Sequence, residues 1–139
     1  MNYFKTKVRY DKICEDGVQR TVTEEYLVDA FSWGEAEDRI TEEMQVYISG
    51  EFSITDIRPY RVDEAFLNAQ DYYFKARLYF LHLDEKSGRE KKTAVNMLVS
   101  AHDINEAKEI ITAEMKKTPI DYTIQKIEET KILDVFLHD

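Results

Sequence analysis

One cysteine, two prolines, four glycines and three histidines are all that occur in 139 residues. A single cysteine, Cys14, cannot close an internal disulfide, which excludes a secreted disulfide scaffold. Four unclustered glycines give neither a phosphate loop nor a dinucleotide fingerprint, because both need glycines that let backbone N–H groups approach an anion. No apolar run approaches the ~18 residues a membrane span requires. The opening string MNYFKTKVRYDK lacks the apolar stretch of a secretory signal. These absences set the expectation of a cytoplasmic chain with no membrane partner.

Chemistry is equally sparse. Cys-x-x-Cys, His-Glu-x-x-His and EF-hand patterns are all missing. His82, His102 and His138 stand in no recognisable motif. Cys14 is flanked by Glu15 and Asp16, the wrong surroundings for an activated thiolate. The acidic pairs Glu15-Asp16 and Asp84-Glu85 lie at turns, and adjacent residues of extended chain point to opposite faces, so neither pair makes a chelate. Among 28 acids no two are singled out for acid–base work. The expectation is no catalytic residue, no metal, no cofactor, and a protein that is not an enzyme.

What the chain does have is a compact domain's composition: 43% apolar, 34% charged and 12% aromatic, with 19 cations against 28 acids and a net charge of -9. It also repeats itself. NYFKTKVRY from Asn2 matches YYFKARLYF from Tyr72. LVDAFSWGEAEDRITEEM from Leu27 matches LVSAHDINEAKEIITAEM from Leu98, and FSITDIRPYRVDEAFL from Phe52 matches YTIQKIEETKILDVFL from Tyr122. The three blocks keep their order at an offset of about 70 residues, the signature of a tandem duplication. The repeats are read as 1–68 and 69–139.

Each repeat reads as β-β-α-β, with a fourth short strand left open. In Tyr3–Ile13, Phe4, Thr6, Val8 and Tyr10 alternate with Tyr3, Lys5, Lys7 and Arg9, the period of a half-buried strand. Gly17 marks the turn into a second strand over Thr21–Ala30. Ser32-Trp33-Gly34-Glu35 is a capping pattern, and Trp33, Ala36, Ile40, Met44 and Tyr47 recur at helical spacing. Phe52–Leu67 is extended, with Pro59 marking a bulge, an edge or a break. In the second repeat Phe74, Ala76, Leu78 and Phe80 form the inward set. Tyr79, Leu81 and Leu83 make the opposite face apolar, so this strand is expected to be covered on both sides. Asp103 to Glu106 is the second cap, Ala107, Ile111 and Met115 the helical stripe, and Thr118-Pro119 the stop. A unit of this size is marginal alone, its core supplying ~3–5 kcal/mol. The expected architecture is therefore α+β, antiparallel sheets with two helices, the repeats sharing a core in one pseudo-twofold composite domain. The link Asn68-Ala69-Gln70-Asp71 is too short for a free tether.

The strings KTKVRYDK, VTEEYLVDA, YISGEFSITDI and LDEKSGREKKTA, in this order, resemble domain-of-unknown-function family 4494. These are small proteins of Bacteroides-type gut anaerobes, their phages and mobile elements, and the resemblance spans nearly the whole chain. It implies a cytoplasmic accessory protein of phage or mobile-element origin. It implies no reaction, cofactor or catalytic residue.

The best functional signal is a duplicated basic strand face. Tyr3, Lys5, Lys7 and Arg9 share one face, and Tyr73, Lys75 and Arg77 are their counterparts. Lys86, Arg89, Lys91 and Lys92 extend the second. Cations for phosphates and rings for bases would floor a single-stranded nucleic acid. The plainer reading is preferred: solvated strand cations, neutralised by cross-strand carboxylates such as Asp63, Glu64, Glu128 or Asp134. The expected role is a non-enzymatic binding or adaptor protein for a protein or nucleotide-containing ligand, with single-stranded nucleic-acid binding and an enzyme of unrecognised type as the alternatives and homo-oligomerisation open.

Overall fold

The computed structural model describes residues 2–68 and 71–138. Of the link from Asn68 to Asp71, Ala69 and Gln70 lie outside the described residues. The elements are β1 (Asn2–Ile13), β2 (Gln19–Ala30), α1 (Trp33–Tyr47), β3 (Phe52–Tyr60), β4 (Glu64–Phe66), β5 (Tyr72–Leu83), β6 (Glu90–Ala101), α2 (Ile104–Met115), β7 (Asp121–Glu129) and β8 (Ile132–Phe136). The protein is α+β, with two four-stranded, mainly antiparallel sheets and one helix packed on each.

The first sheet has the order β3-β1-β2-β8 and the second β4-β6-β5-β7. Read from the other edge, the second is β7-β5-β6-β4, the same plan shifted by one repeat. The correspondence extends to irregularities. β1 and β3 slip register between Lys7 and Val8, and β5 and β7 between Arg77 and Leu78, leaving Thr55 and Gln125 as the extra residues of two equivalent bulges. The hairpin turns hold glycine at positive φ, 79° at Gly17 and 69° at Gly88, where a side chain would be strained. Pro59 sits on edge strand β3, where no further ladder needs its missing N–H.

The fourth strand of each repeat exists, and it pairs in the other repeat's sheet. β8 runs parallel to β2, with Tyr26 opposite Asp134, Leu27 opposite Val135 and Val28 opposite Phe136. β4 runs parallel to β6, with Glu64, Ala65 and Phe66 opposite Met97, Leu98 and Val99. Repeats and compact units are therefore different partitions. One unit is Met1–Arg61 with Lys131–Asp139, the other Val62–Thr130.

Each unit has its own buried cluster. In the first, Phe4, Val8 and Val28 from the sheet meet Ala36, Ile40 and Met44 of α1, with Phe136 of β8 packed against them. Trp33 and Tyr47, placed on the helical stripe by spacing, are instead 51% and 67% exposed. They sit at the two ends of α1, where Trp33 Nε1 donates to Ile57 O at 3.1 Å and the Tyr47 ring lies 6.3 Å from that of Phe136. In the second unit Phe74, Leu78, Met97 and Val99 meet Ala107, Ile111 and Met115, with Phe66 of β4 packed against them. Both helices start on the side chains the sequence marks. Ser32 Oγ accepts from Glu35 N at 3.1 Å, and Asp103 Oδ1 from Glu106 N at 2.8 Å. Glu106 Oε1 in turn accepts from His102 N at 3.1 Å.

Candidate functional site

The face of each sheet away from its helix carries the basic strand residues. On β1, Tyr3, Lys5 and Lys7 are half-buried and Arg9 is exposed. On β5, Tyr73 is only 5% exposed, so its ring is closed to a stacking ligand. Lys75 is half-buried and Arg77 exposed. The two faces share a sequence pattern yet differ in charge, because registry decides what lies beside each cation.

Lys7 sits between Glu25 on β2 and Asp56 on β3. Lys5 Nζ is 3.4 Å from Glu25 and 5.6 Å from the centre of the Tyr60 ring. Arg58 is held by Asp56 at 3.0 Å. The first face is thus largely compensated. The Tyr3 hydroxyl group has its pKa raised by burial and by the nearby charge of Asp29. Tyr10 is pushed up to about 12 by burial and by Glu24, so it is not poised for proton transfer near neutral pH.

Arg77, the counterpart of Lys7, sits between Asn96 and Lys126. Where the first sheet places two acids, the second places an amide and a third cation. Tyr79 is next along the same face, opposite Ala94 and Thr123. Its ring centre lies 5.6 Å from the Arg77 guanidinium and 5.6 Å from Lys92 Nζ, within cation–π range. The acids nearby are Glu128, opposite Lys75 and 3.4 Å from Lys126 Nζ, Asp121 opposite Leu81, Glu90 opposite Leu83, and Asp63 beside Asn96. Of the other carboxylates expected to neutralise the cations, Glu64 and Asp134 align with Met97 and Tyr26, whose side chains belong to the helix-facing cores. Asp63 Oδ2 accepts from Asn96 N at 2.7 Å.

The apolar pattern of β5 predicts cover on both faces. The strand is covered so only at its start. Tyr73 and Leu98 are buried, whereas Leu83 near the turn is 67% exposed. The hairpin end is therefore open to solvent, and Arg77, Tyr79 and Lys92 stand on that open half. Lys86, Arg89 and Lys91 lie at the tip, with Lys91 3.3 Å from Asp84. Alternation alone makes Tyr79 an apolar strand residue and leaves Lys126 out altogether. Only the bulge at Gln125 brings Lys126 opposite Arg77.

Several other titratable groups have defined contacts. Arg20 holds Asp16 in a two-pronged contact of 3.1 and 2.8 Å that keeps this carboxyl below the usual range. Cys14 Sγ lies 3.9 Å from Lys12 O. His82 Nε2 is 3.0 Å from Thr93 Oγ1. His138 N donates to Asp29 Oδ1 at 2.5 Å, and Arg39 on α1 contacts His138 Nδ1 at 2.6 Å and donates to Leu137 O. His102 Nδ1 is 3.1 Å from Asp71 Oδ2, and that hydrogen bond and charge raise its pKa above the ordinary histidine value. A raised folded-state pKa stabilises at low pH, and the contribution fades as pH rises through the raised value. Exposure keeps it small. In Asp71→Asn the His102 pKa, followed by NMR titration, should fall back toward the ordinary value; an unchanged titration would contradict the contact.

Among the described residues no three His, Cys, Asp or Glu side chains are grouped as a metal ion would require. No helix among them is long and apolar enough to cross a membrane. A family description, domain of unknown function (DUF4494), matches residues 2–138. No curated protein and no solved structure matches the chain.

Proposed function

From the premise that the chain belongs to domain-of-unknown-function family 4494, whose description carries no activity, we propose that it is a binding or adaptor protein and not an enzyme. Its contact surface is the open half of the second sheet's helix-free face, and its ligand is an anionic protein segment or a nucleotide-containing molecule. One observation carries this reading: Arg77 and Lys92 both flank the Tyr79 ring at 5.6 Å, with Lys126 opposite Arg77. In the first sheet the positions of Asn96 and Lys126 hold Glu25 and Asp56. A polar rim around an aromatic centre is the composition of a binding patch. Tyr79 also favours the second reading, single-stranded nucleic acid, since a ring among cations serves bases and phosphates together. The net charge of -9 opposes a polyanion at long range, but screening beyond ~8 Å at physiological salt leaves the local patch to decide.

The cytoplasmic site of action rests on the sequence expectation and the family resemblance, and the phage or mobile-element origin on the resemblance alone. Copurification from the native host, read for protein and nucleic acid, tests them. The surface itself is tested by fluorescence anisotropy with a labelled mixed-sequence single-stranded oligonucleotide and a labelled glutamate-rich peptide. Salt-dependent binding of one probe supports the reading and selects the ligand class. Absence of binding by both at low salt removes this face from consideration.

A further inference from the structure

The two readings of the Tyr79 surface part at the ring and at what lies beyond it. Arg77 stands two residues before Tyr79 on β5, and Lys92 pairs with Leu81, two residues after it. The two cations therefore come to the ring from opposite directions along the strand, and each lies over it, 5.6 Å from its centre. A base stacks only on a ring face that is open. Past Tyr79 the same face of β5 continues with half-buried Leu81 and with Leu83, which is 67% exposed. Asp121 stands opposite Leu81 and Glu90 opposite Leu83. Along one strand the surface thus runs from cations, Arg77 with Lys126 beside it, to a bare aliphatic side chain with an acid as its neighbour.

We infer that the ligand of this surface is an extended segment of a partner protein, acidic where it crosses Arg77, Lys92 and Lys126 and apolar where it reaches Leu83. The inference rests on the surface proposed above and narrows its ligand class to protein. Tyr79 is here a positioning residue: its ring holds the two cations over its faces and offers no slot to a base. A nucleic acid would bring phosphates alone. Its charge would continue past the cations toward Asp121 and Glu90, and it would leave Leu83 uncovered. A protein segment matches both ends. Successive side chains on one face of an extended chain lie ~7 Å apart, so the ligand can change from carboxylate to aliphatic within one such step.

The test is fluorescence anisotropy at low salt on the full chain with labelled probes: a glutamate-rich peptide ending in two leucines, the same peptide with serines for the leucines, a mixed-sequence single-stranded oligonucleotide, and an abasic strand of equal length. The leucine peptide should bind at least about fivefold tighter than the serine peptide, the gain from covering one exposed leucine. Leu83→Ser should remove that gain and leave the serine peptide's affinity unchanged. The oligonucleotide and the abasic strand should bind within about twofold of each other, whereas a stacked base adds about fivefold or more. Tyr79→Leu should weaken the serine peptide and the abasic strand, neither of which can stack, by about twofold to fivefold, and Tyr79→Phe should restore both. An oligonucleotide that outbinds both its abasic form and the leucine peptide makes the ligand a nucleic acid; it overturns the inference and leaves the surface in place. A leucine gain that is absent, or that survives Leu83→Ser, overturns it too. Absence of all binding, or binding unchanged by Arg77→Glu with Lys92→Glu, removes the surface itself and the inference with it.

Discussion

Replacing Phe136 by alanine should loosen residues 2–60 and largely spare residues 72–129, although Phe136 belongs by sequence to the second repeat. Its ring packs on the first unit's core, stacked on Tyr26 at 5.6 Å and tilted against Tyr47 at 6.3 Å. A buried Phe→Ala change costs about 3–5 kcal/mol. Phe136 is only half-buried, which places the expected loss at about 2–3 kcal/mol, including the aromatic pairing. That is most of the ~3–5 kcal/mol a unit of this size holds in reserve. The partner experiment is Phe66→Ala, which should loosen β5, β6 and α2 although Phe66 lies in the first repeat. Hydrogen exchange read by mass spectrometry locates each loss. Protection lost within the mutated residue's own repeat would contradict the exchanged pairing.

The second large effect concerns binding. Arg77→Glu with Lys92→Glu reverses both cations beside Tyr79 while leaving the core untouched, since neither residue is buried. Each cation that neutralises a phosphate adds nearly one unit to the slope of log affinity against log salt, about 0.7 for a single strand. Losing both should lower oligonucleotide affinity by about tenfold to a hundredfold at low salt and flatten the salt dependence by roughly one to two units. For an acidic peptide the direction is the same. Lys5→Glu with Lys7→Glu on the first sheet serves as the comparison, because Glu25 and Asp56 already compensate those positions. Equal losses from both double variants would show that general charge, and not the Tyr79 patch, governs binding.

How far these features can be read from sequence depends on whether they are local. Alternation at Phe4, Thr6 and Val8, the caps at Ser32 and Asp103, and the turns at Gly17 and Gly88 follow from short-range rules, and each appears where the pattern puts it. The partner of β8 does not follow from such rules. Asp134-Val135-Phe136 and Glu64-Ala65-Phe66 match in pattern, so either segment suits a slot beside β2 or β6. Hydrophobic alternation does not distinguish the two slots. The charge of the second face is hidden for another reason. Arg77 meets Lys126 only after the ladder skips Gln125. An alignment of Phe52–Tyr60 on Tyr122–Thr130 carries the clue, since Asp56 falls on Lys126, but its meaning depends on registry with β5.

Exchanged strand pairing is what the cores and the unit boundaries depend on, and inter-strand NMR contacts read it directly. In the full-length monomer, nuclear Overhauser effects should connect Phe136 with Val28 and Val135 with Leu27, and connect Phe66 with Val99 and Ala65 with Leu98. If Phe66 instead showed contacts to Val28 and Phe136 to Val99, each repeat would complete its own sheet and the exchange of β4 and β8 would be wrong.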